Sequence, residues 1–260
     1  MKASRVNSRR IALAIVFSVL YFVLRSLPNP IPFLFQMIGI SGRFTAGDFL
    51  LTTIALVCGL WGGALSVFVG TVLAYPVSGP MFLGLDFLPG LVNVLIVGLI
   101  VKNRSRTAQA LFIAVLLLFI ASPYSLFFGY GYIPYTWLHI IALAIVFSPI
   151  IAKVPAWMIQ DGKRQFVAIG TLAFVGTMAQ HLTGGLLFEF VLGVVQGNSP
   201  SVLKDSWQII FWLYPTERLL LTVISTVISV GLVRSMRRMG MWQAQSQHNS
   251  FRNASYERQV

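Results

Sequence analysis

Arg9-Arg-Ile-Ala-Leu-Ala-Ile-Val-Phe-Ser-Val-Leu-Tyr21 is the stretch that decides the fold class, because two basic residues lead directly into an uncharged apolar run. The run continues to about residue 27, which approaches the roughly 20 residues that a helix needs to cross a bilayer. It passes through Arg25 and Pro28 without the small-residue cleavage site of a signal peptide. We therefore interpret it as a retained membrane helix.

Seven further apolar runs follow, and together they predict an all-α polytopic membrane bundle of about eight transmembrane helices. The predicted helices cover about 10–27, 46–59, 62–79, 86–101, 107–128, 136–152, 165–192 and 207–233. An uncharged, glycine-rich turn at 59–63 joins the second helix to the third. Residues 1–233 then form a single transmembrane domain, and the basic segment 234–260 forms a cytoplasmic tail that we expect to be disordered.

The composition agrees with a membrane protein, because hydrophobic residues make up 57% of the chain and charged residues only 10%. A soluble domain carries about 25% charged residues. The net charge of +12 does not require a nucleic-acid partner, since basic flanks hold loops in the cytoplasm and can contact anionic lipid headgroups. We therefore predict lipid contact and no binding of nucleic acid.

The positions of the basic residues predict the topology. Fifteen of the 19 lie in the two tails and in alternate gaps between the apolar runs, and only Arg25, Arg43, Lys204 and Arg218 fall elsewhere. The fifteen are Lys2, Arg5, Arg9, Arg10, Lys102, Arg104, Arg106, Lys153, Lys163, Arg164, Arg234, Arg237, Arg238, Arg252 and Arg258. Because basic flanks are retained on the cytoplasmic side, we expect a cell-membrane protein with both termini inside.

Ionisable residues within the predicted helices all fall in the half that this topology places outside. Such groups are costly in a bilayer and are tolerated where they face a cavity or a partner. We predict an outward-facing pocket under a cap formed by the proline-rich segment 28–43. The candidate substrate-binding residues are Asp48, His181, Glu189, Glu217 and Arg218.

These candidates leave alternatives open. His181 either faces a ligand or bonds a neighbouring helix. Glu217 and Arg218 are adjacent, so their side chains diverge by about 100° along a helix. Arg218 either contacts the ligand or neutralises Asp48 or Asp86. The aromatic residues Tyr124, Tyr130, Tyr132, Tyr135 and Trp137 form either an interfacial belt or a surface on which a flat ring stacks.

Several chemistries are excluded by missing motifs. The single cysteine, Cys58, rules out an internal disulfide, and the sequence has no phosphate-binding GxxxxGK[ST] loop, no HExxH pair and no GxSxG elbow. We therefore predict no catalytic residue, no cofactor and no metal site, and we do not expect an enzyme.

Three segments resemble the substrate-binding S component of energy-coupling factor (ECF) vitamin transporters. They are Arg9 to Tyr21, Gly47-Asp48 through Gly59-Leu-Trp-Gly62-Gly63-Ala64, and Tyr214-Pro-Thr-Glu217-Arg218 with the basic residues Arg234 to Arg238. The resemblance implies a six-helix core, to which the pair 107–152 would be added. It also implies that the small residues Ala14 and Ser18 form a face that docks on a transmembrane coupling subunit. The alternative is that these two residues form a packing contact inside the chain.

The function that the resemblance implies is the capture of a small water-soluble, vitamin-like nutrient outside the cell. Uptake would then be driven by ABC-type ATPases joined to the coupling subunit, and the loaded protein would topple in the membrane. Two other hypotheses stay open. A non-catalytic scaffold in envelope assembly or cell-shape machinery predicts that the outer polar residues pair and leave no cavity. An intramembrane enzyme predicts that His181 and Glu189 reach one common point.

Overall fold

The computed structural model describes residues 8–27 and 45–240, and this part of the chain is nearly all α-helical. The helices are α1 (Ser8–Ser26), α2 (Leu51–Ser78), α3 (Leu88–Val101), α4 (Ser105–Ala121), α5 (Trp137–Phe147), α6 (Ile150–Met158), α7 (Lys163–Phe188), α8 (Pro200–Ile209) and α9 (Leu213–Arg238). A 3-10 turn at Ala46–Leu50 precedes α2, and a π-helical segment at Glu189–Val195 extends α7. The predicted cap at 28–43 and the tail beyond residue 240 lie outside the described residues.

Within the described residues, three helical stretches are long and apolar enough to cross a membrane. They are Ala46–Ser78, Lys163–Val195 and Leu213–Arg238. The bent pair α5 and α6 makes a fourth candidate if its two helices count as one span. The bundle is therefore compatible with a membrane protein of three to four candidate spans, and the eight predicted spans stay a prediction.

The stretch Ala46–Ser78 turns back on itself at Gly59, where φ is 73° and ψ is −177°. A Cβ atom at Gly63 would lie only 3.3 Å from the backbone oxygen of Ile54. In a straight helix these residues would be about 13 Å apart. The side chain of Tyr21 also contacts both Gly47, which precedes the reversal, and Gly70, which follows it. The reversal coincides with the glycine-rich turn predicted at 59–63.

Two predicted helices end earlier than expected. The helix predicted at 107–128 stops at Ala121, one residue before Ser122-Pro123, because the residue before a proline disfavours helical backbone angles. A short antiparallel hairpin follows, in which β1 (Phe128–Tyr130) pairs with β2 (Ile133–Pro134). The helix predicted at 136–152 breaks at Ser148-Pro149, and the axes of α5 and α6 differ by 73°.

Two predictions at the C-terminal end are also wrong. The segment 194–206, which the predicted helices 165–192 and 207–233 leave as a loop, contains the start of α8, which buries Leu203 and Trp207 one turn apart on one face. The basic tail predicted from residue 234 begins too early, because α9 continues through Arg238.

The first helix packs through small residues against the part of α2 that follows Gly59. Ala14 and Ser18 are both buried, and the Ser66 hydroxyl donates to the Ala14 carbonyl at 2.9 Å. A Cβ atom at Gly70 would lie 2.7 Å from the Ser18 carbonyl. Small residues permit this close approach of two backbones. The face that we predicted to dock on a coupling subunit is therefore occupied from within the chain, and the docking prediction for Ala14 and Ser18 needs correction.

Basic residues meet at one end of the bundle. Arg234 of α9 donates from Nε to Gln165 Oε1 at 2.8 Å, and Arg237 pairs with Asp161 at 3.0 Å just before α7 begins. Because α7 and α9 run antiparallel, their other ends lie together at the opposite side of the bundle.

The third helix also ends towards the basic side. Asn93 contacts Gln180, and one turn later Val97 packs against Gly176. Because α3 thus runs antiparallel to α7, the basic residues after α3 lie towards the start of α7. The described basic residues on this side are Lys102, Arg104, Arg106, Lys153, Lys163, Arg164, Arg234, Arg237 and Arg238.

Candidate functional site

A cavity of about 190 Å³ lies at the end of the bundle opposite the basic residues. Its walls come from the C-terminal end of α1, the 3-10 turn, the segment between α2 and α3, the C-terminal half of α7, and the start of α9. Four of the five predicted substrate-binding residues line it, namely Asp48, His181, Glu217 and Arg218. The fifth, Glu189, does not line the cavity.

Asp48 is held in place by hydrogen bonds from uncharged donors. Its Oδ2 atom accepts from the backbone N–H of Thr45 at 3.1 Å and from the Thr45 hydroxyl at 3.2 Å. Its Oδ1 atom accepts from Gln180 Nε2 at 2.8 Å, and Gln180 Oε1 in turn accepts from Asn93 Nδ2 at 3.1 Å. This buried chain of side chains joins α3, α7 and the 3-10 turn and fixes the carboxylate at the cavity wall.

Asp86 is paired with Arg25. The Arg25 Nη2 atom lies 3.6 Å from Asp86 Oδ1. The Asp86 carboxylate also accepts hydrogen bonds from the backbone N–H groups of Met81 and Phe82, each at 3.0 Å. Both charged residues line the cavity, and Arg25 is thus an ion-pair partner of Asp86.

His181 belongs to a stack of three nearly parallel rings. The rings of His181 and Tyr214 are 4.9 Å apart and inclined by 16°, and those of His139 and Tyr214 are 5.5 Å apart and inclined by 18°. His139 Nε2 lies 2.9 Å from His181 Nδ1. His139 is fully buried behind the other two rings, which themselves line the cavity.

The hydrogen bond between the two histidines can run in either direction, depending on their tautomers. The backbone carbonyl of Thr136 lies near His139, whose Nδ1 atom has no hydrogen bond of good geometry within the described residues. In the tautomer in which His181 Nδ1 donates to His139 Nε2, the other ring nitrogen of His181 is a hydrogen-bond acceptor.

Glu217 lies one helical turn after Tyr214, so the two side chains share one face of α9. Glu217 is 5% exposed, and its Oε1 atom has no hydrogen-bond partner within the described residues. The positive charge of Arg218 lies close enough to interact electrostatically with Glu217, His139 and His181. The site thus combines one carboxylate oxygen that lacks a donor with a neighbouring guanidinium group.

Glu189 lies in a separate buried position at the start of the π-helical segment. It is 2% exposed, and Ser122 and Trp207 are close to its carboxylate. Neither carboxylate oxygen has a hydrogen bond of good geometry in the part of the chain that the structure describes. Phe188 and Trp207 line the cavity, whereas Glu189 does not. The predicted convergence of Glu189 with His181 is therefore not observed.

The structure adds residues that sequence reasoning did not assign to the site. They are Tyr21, Arg25, Asp86, Gln180, Trp207 and Tyr214. Gln180 could have been assigned to the site from the sequence, because it is a polar amide next to His181 within an apolar helix. Among the described residues, no group of three or more His, Cys, Asp or Glu side chains is arranged to hold a metal ion.

Comparisons with known proteins give no family assignment. No protein-family model matches the chain, and neither the curated proteins nor the solved structures include a significant match.

Proposed function

We propose that this chain is the substrate-capture subunit of an ECF-type transporter in the cell membrane, and that it binds a small water-soluble, vitamin-like nutrient from outside. The observation that carries the proposal is the cavity itself, in which Asp48, His181, Glu217 and Arg218 meet beside aromatic rings. Ligand pockets are typically apolar clefts with a few placed polar groups. A scaffold whose outer polar residues only pair with one another would leave no such space.

The outer surface of the bundle supports a membrane location. Many large apolar side chains are exposed along the helices, whereas a soluble monomer rarely exposes a wide apolar surface. Examples are Ile11, Ile15, Val19 and Leu20 on α1, Leu117 and Leu118 on α4, and Val223 and Val227 on α9. Lipid is the partner that covers such a surface at little cost.

The separation of the cavity from the basic end supports an outward orientation. Basic residues are retained on the cytoplasmic side, which would leave both termini inside and the cavity outside. Between the two ends, the segments 49–78, 88–101 and 219–233 carry no Asp, Glu, Lys, Arg or His. An ion or proton pathway would need polar groups that continue to the inner end.

Transport requires energy that the chain does not supply, since it has no phosphate-binding loop. The proposal therefore includes a transmembrane coupling subunit and ABC-type ATPases as partners. Because Ala14 and Ser18 are buried against α2, the coupling subunit would have to use another surface of the bundle.

Mass spectrometry of small molecules that co-purify with the detergent-extracted protein tests the proposal. We expect one polar solute in near-stoichiometric amount, which is lost in a His181→Ala, Glu217→Gln double variant that still folds. Purified protein without any enriched solute, combined with no saturable binding of the candidate nutrients, would favour the scaffold hypothesis.

A further inference from the structure

We infer that the ligand of this cavity is a flat, positively charged ring compound that carries N–H donors. The inference rests on the proposed function, because it specifies the chemical class that the same site would capture. It follows from the charge balance of the lining, from the hydrogen-bonding groups that lack partners, and from the arrangement of the rings.

The cavity lining carries an excess of negative charge among the described residues. Its carboxylates are Asp48, Asp86 and Glu217, and its guanidinium groups are Arg25 and Arg218. Arg25 forms an ion pair with Asp86, and Arg218 lies close enough to act on Glu217. Among the described residues, Asp48 accepts hydrogen bonds from the neutral groups of Thr45 and Gln180. The charge of Arg25 acts on Asp48 as well as on Asp86, so these two carboxylates share one guanidinium group. A cation would restore the balance, whereas an anion would increase the imbalance.

The cavity lining offers a carboxylate oxygen as a hydrogen-bond acceptor. Glu217 Oε1 is buried without a donor within the described part of the chain. His181 Nε2 adds a second acceptor in the tautomer in which His181 Nδ1 donates to His139. A buried acceptor without a donor is costly, and a charged N–H group bonded to a carboxylate is one of the stronger pairings in proteins. A ligand with two or more N–H donors would satisfy both groups.

The aromatic residues favour a flat ligand. The rings of His181 and Tyr214 are nearly parallel, and both line the cavity together with Phe188 and Trp207. Gly184 also lines the cavity, where a Cβ atom would make an ordinary contact with Pro89 Cγ at 3.9 Å. A ring that enters here can stack on the aromatic faces, and a positive charge on it would be attracted by their π-electrons.

Benzamidinium, benzamide and benzoate test the inference, because they share one ring and nearly the same volume but carry positive, neutral and negative charge. Binding to the purified wild-type protein is measured by calorimetry after any co-purified solute has been removed. We expect benzamidinium to bind about tenfold more tightly than benzamide, as a charge-assisted hydrogen bond predicts. Benzoate should bind most weakly.

Two variants test whether the preference for benzamidinium over benzamide comes from the cavity. Glu217→Gln keeps the side-chain shape and should abolish the preference for benzamidinium over benzamide. Asp161→Asn removes a negative charge at the opposite end, where the Asp161 side chain is 78% exposed, and should leave the preference intact. The wild-type ligand series is decisive by itself if Glu217→Gln fails to fold.

The outcomes separate the two proposals. Equal binding of the three probes, tightest binding of benzoate, or no binding of any probe would overturn the cationic assignment. Solute capture would still stand if a different solute co-purified with the protein. A cation preference that survives Glu217→Gln would also contradict the inference, since its source would then lie elsewhere.

Discussion

The Nε2 atom of His139 lies 2.9 Å from the Nδ1 atom of His181, and this contact links a fully buried ring to one that lines the cavity. His139 is therefore a positioning residue, which contacts the lining residues His181 and Tyr214 from the buried side. Its hydrogen bond to His181 Nδ1 helps to fix the plane of the His181 ring.

Replacement of His139 by phenylalanine should weaken ligand binding without unfolding the protein. Phenylalanine keeps a flat ring behind Tyr214 but removes the hydrogen bond to His181 Nδ1, which leaves that atom unsatisfied. We expect about fivefold to tenfold weaker binding of the co-purified solute, in line with the loss of about 1 kcal/mol for one hydrogen bond. Calorimetry and thermal unfolding of the same variant separate the two effects. Unchanged affinity would show that His139 has only a packing role.

Replacement of Gly70 by alanine should destabilise the seam between α1 and α2. The added Cβ atom would lie 2.7 Å from the Ser18 carbonyl and 2.9 Å from Tyr21 Cδ1, so one helix must shift. We expect a loss of about 1–3 kcal/mol in unfolding free energy.

Gly231→Ala is the matched control for this seam. Gly231 is an exposed helical position with no atom within 4 Å of the added Cβ, so stability should stay equal or rise slightly. If Gly70→Ala left thermal stability unchanged, the internal seam would be wrong, and a docking role for Ala14 and Ser18 would be restored.

The prediction for this seam shows how far sequence reasoning reached. The small-residue spacing of Ala14 and Ser18 indicates a close helix contact, but spacing alone does not say whether a partner subunit or a helix of the same chain provides the other side. The complementary row Gly62, Ser66 and Gly70 has the same four-residue spacing and could have been proposed as the partner from the sequence.

The site was predictable to a similar extent. The cost of ionisable groups in a bilayer singled out Asp48, His181, Glu189, Glu217 and Arg218 from the sequence, and all of these except Glu189 line one cavity in the structure. The pairing of His139 with His181 was not predictable, because the residues are 42 positions apart and their contact depends on how α5 and α7 are rotated.

The helix α8 was missed although its sequence carries a signal. Ser199 followed by Pro200 is a typical helix start, and Leu203 and Trp207 follow with helical spacing. Glu189 was assigned to the pocket because it lies two turns after His181 on nearly the same helix face. Eight residues of an α-helix rotate by about 800°, so Glu189 is turned by about 80° from His181, and its carboxylate lies beside Ser122 and Trp207 instead.

Glu189→Gln should stabilise the protein. The wild-type carboxylate is 2% exposed and has no hydrogen bond of good geometry within the described residues, so its burial is costly when it is charged. The neutral amide has nearly the same shape, and we expect an increase of about 1–3 kcal/mol in unfolding free energy, measured by thermal unfolding. A marked loss of stability would instead show that the carboxylate has a partner beyond the described residues.

Cysteine labelling tests the topology. In a Cys58→Ala background, Ser199→Cys marks the cavity end and Arg104→Cys marks the basic end, and both positions are exposed. A membrane-impermeant maleimide applied to intact cells should label residue 199 and not residue 104, because basic flanks are retained inside. Labelling of residue 104 alone would reverse the orientation and place the cavity on the cytoplasmic side.

The most direct test of the central claim is the binding of the identified solute to the protein in lipid nanodiscs, measured for wild type, Glu217→Gln and Asp161→Asn. The account predicts saturable binding of one solute per chain, at least about tenfold weaker binding in Glu217→Gln, and wild-type affinity in Asp161→Asn. The absence of saturable binding in the wild type, or an affinity in Glu217→Gln equal to that of the wild type, would contradict the assignment of the cavity as a solute-binding site.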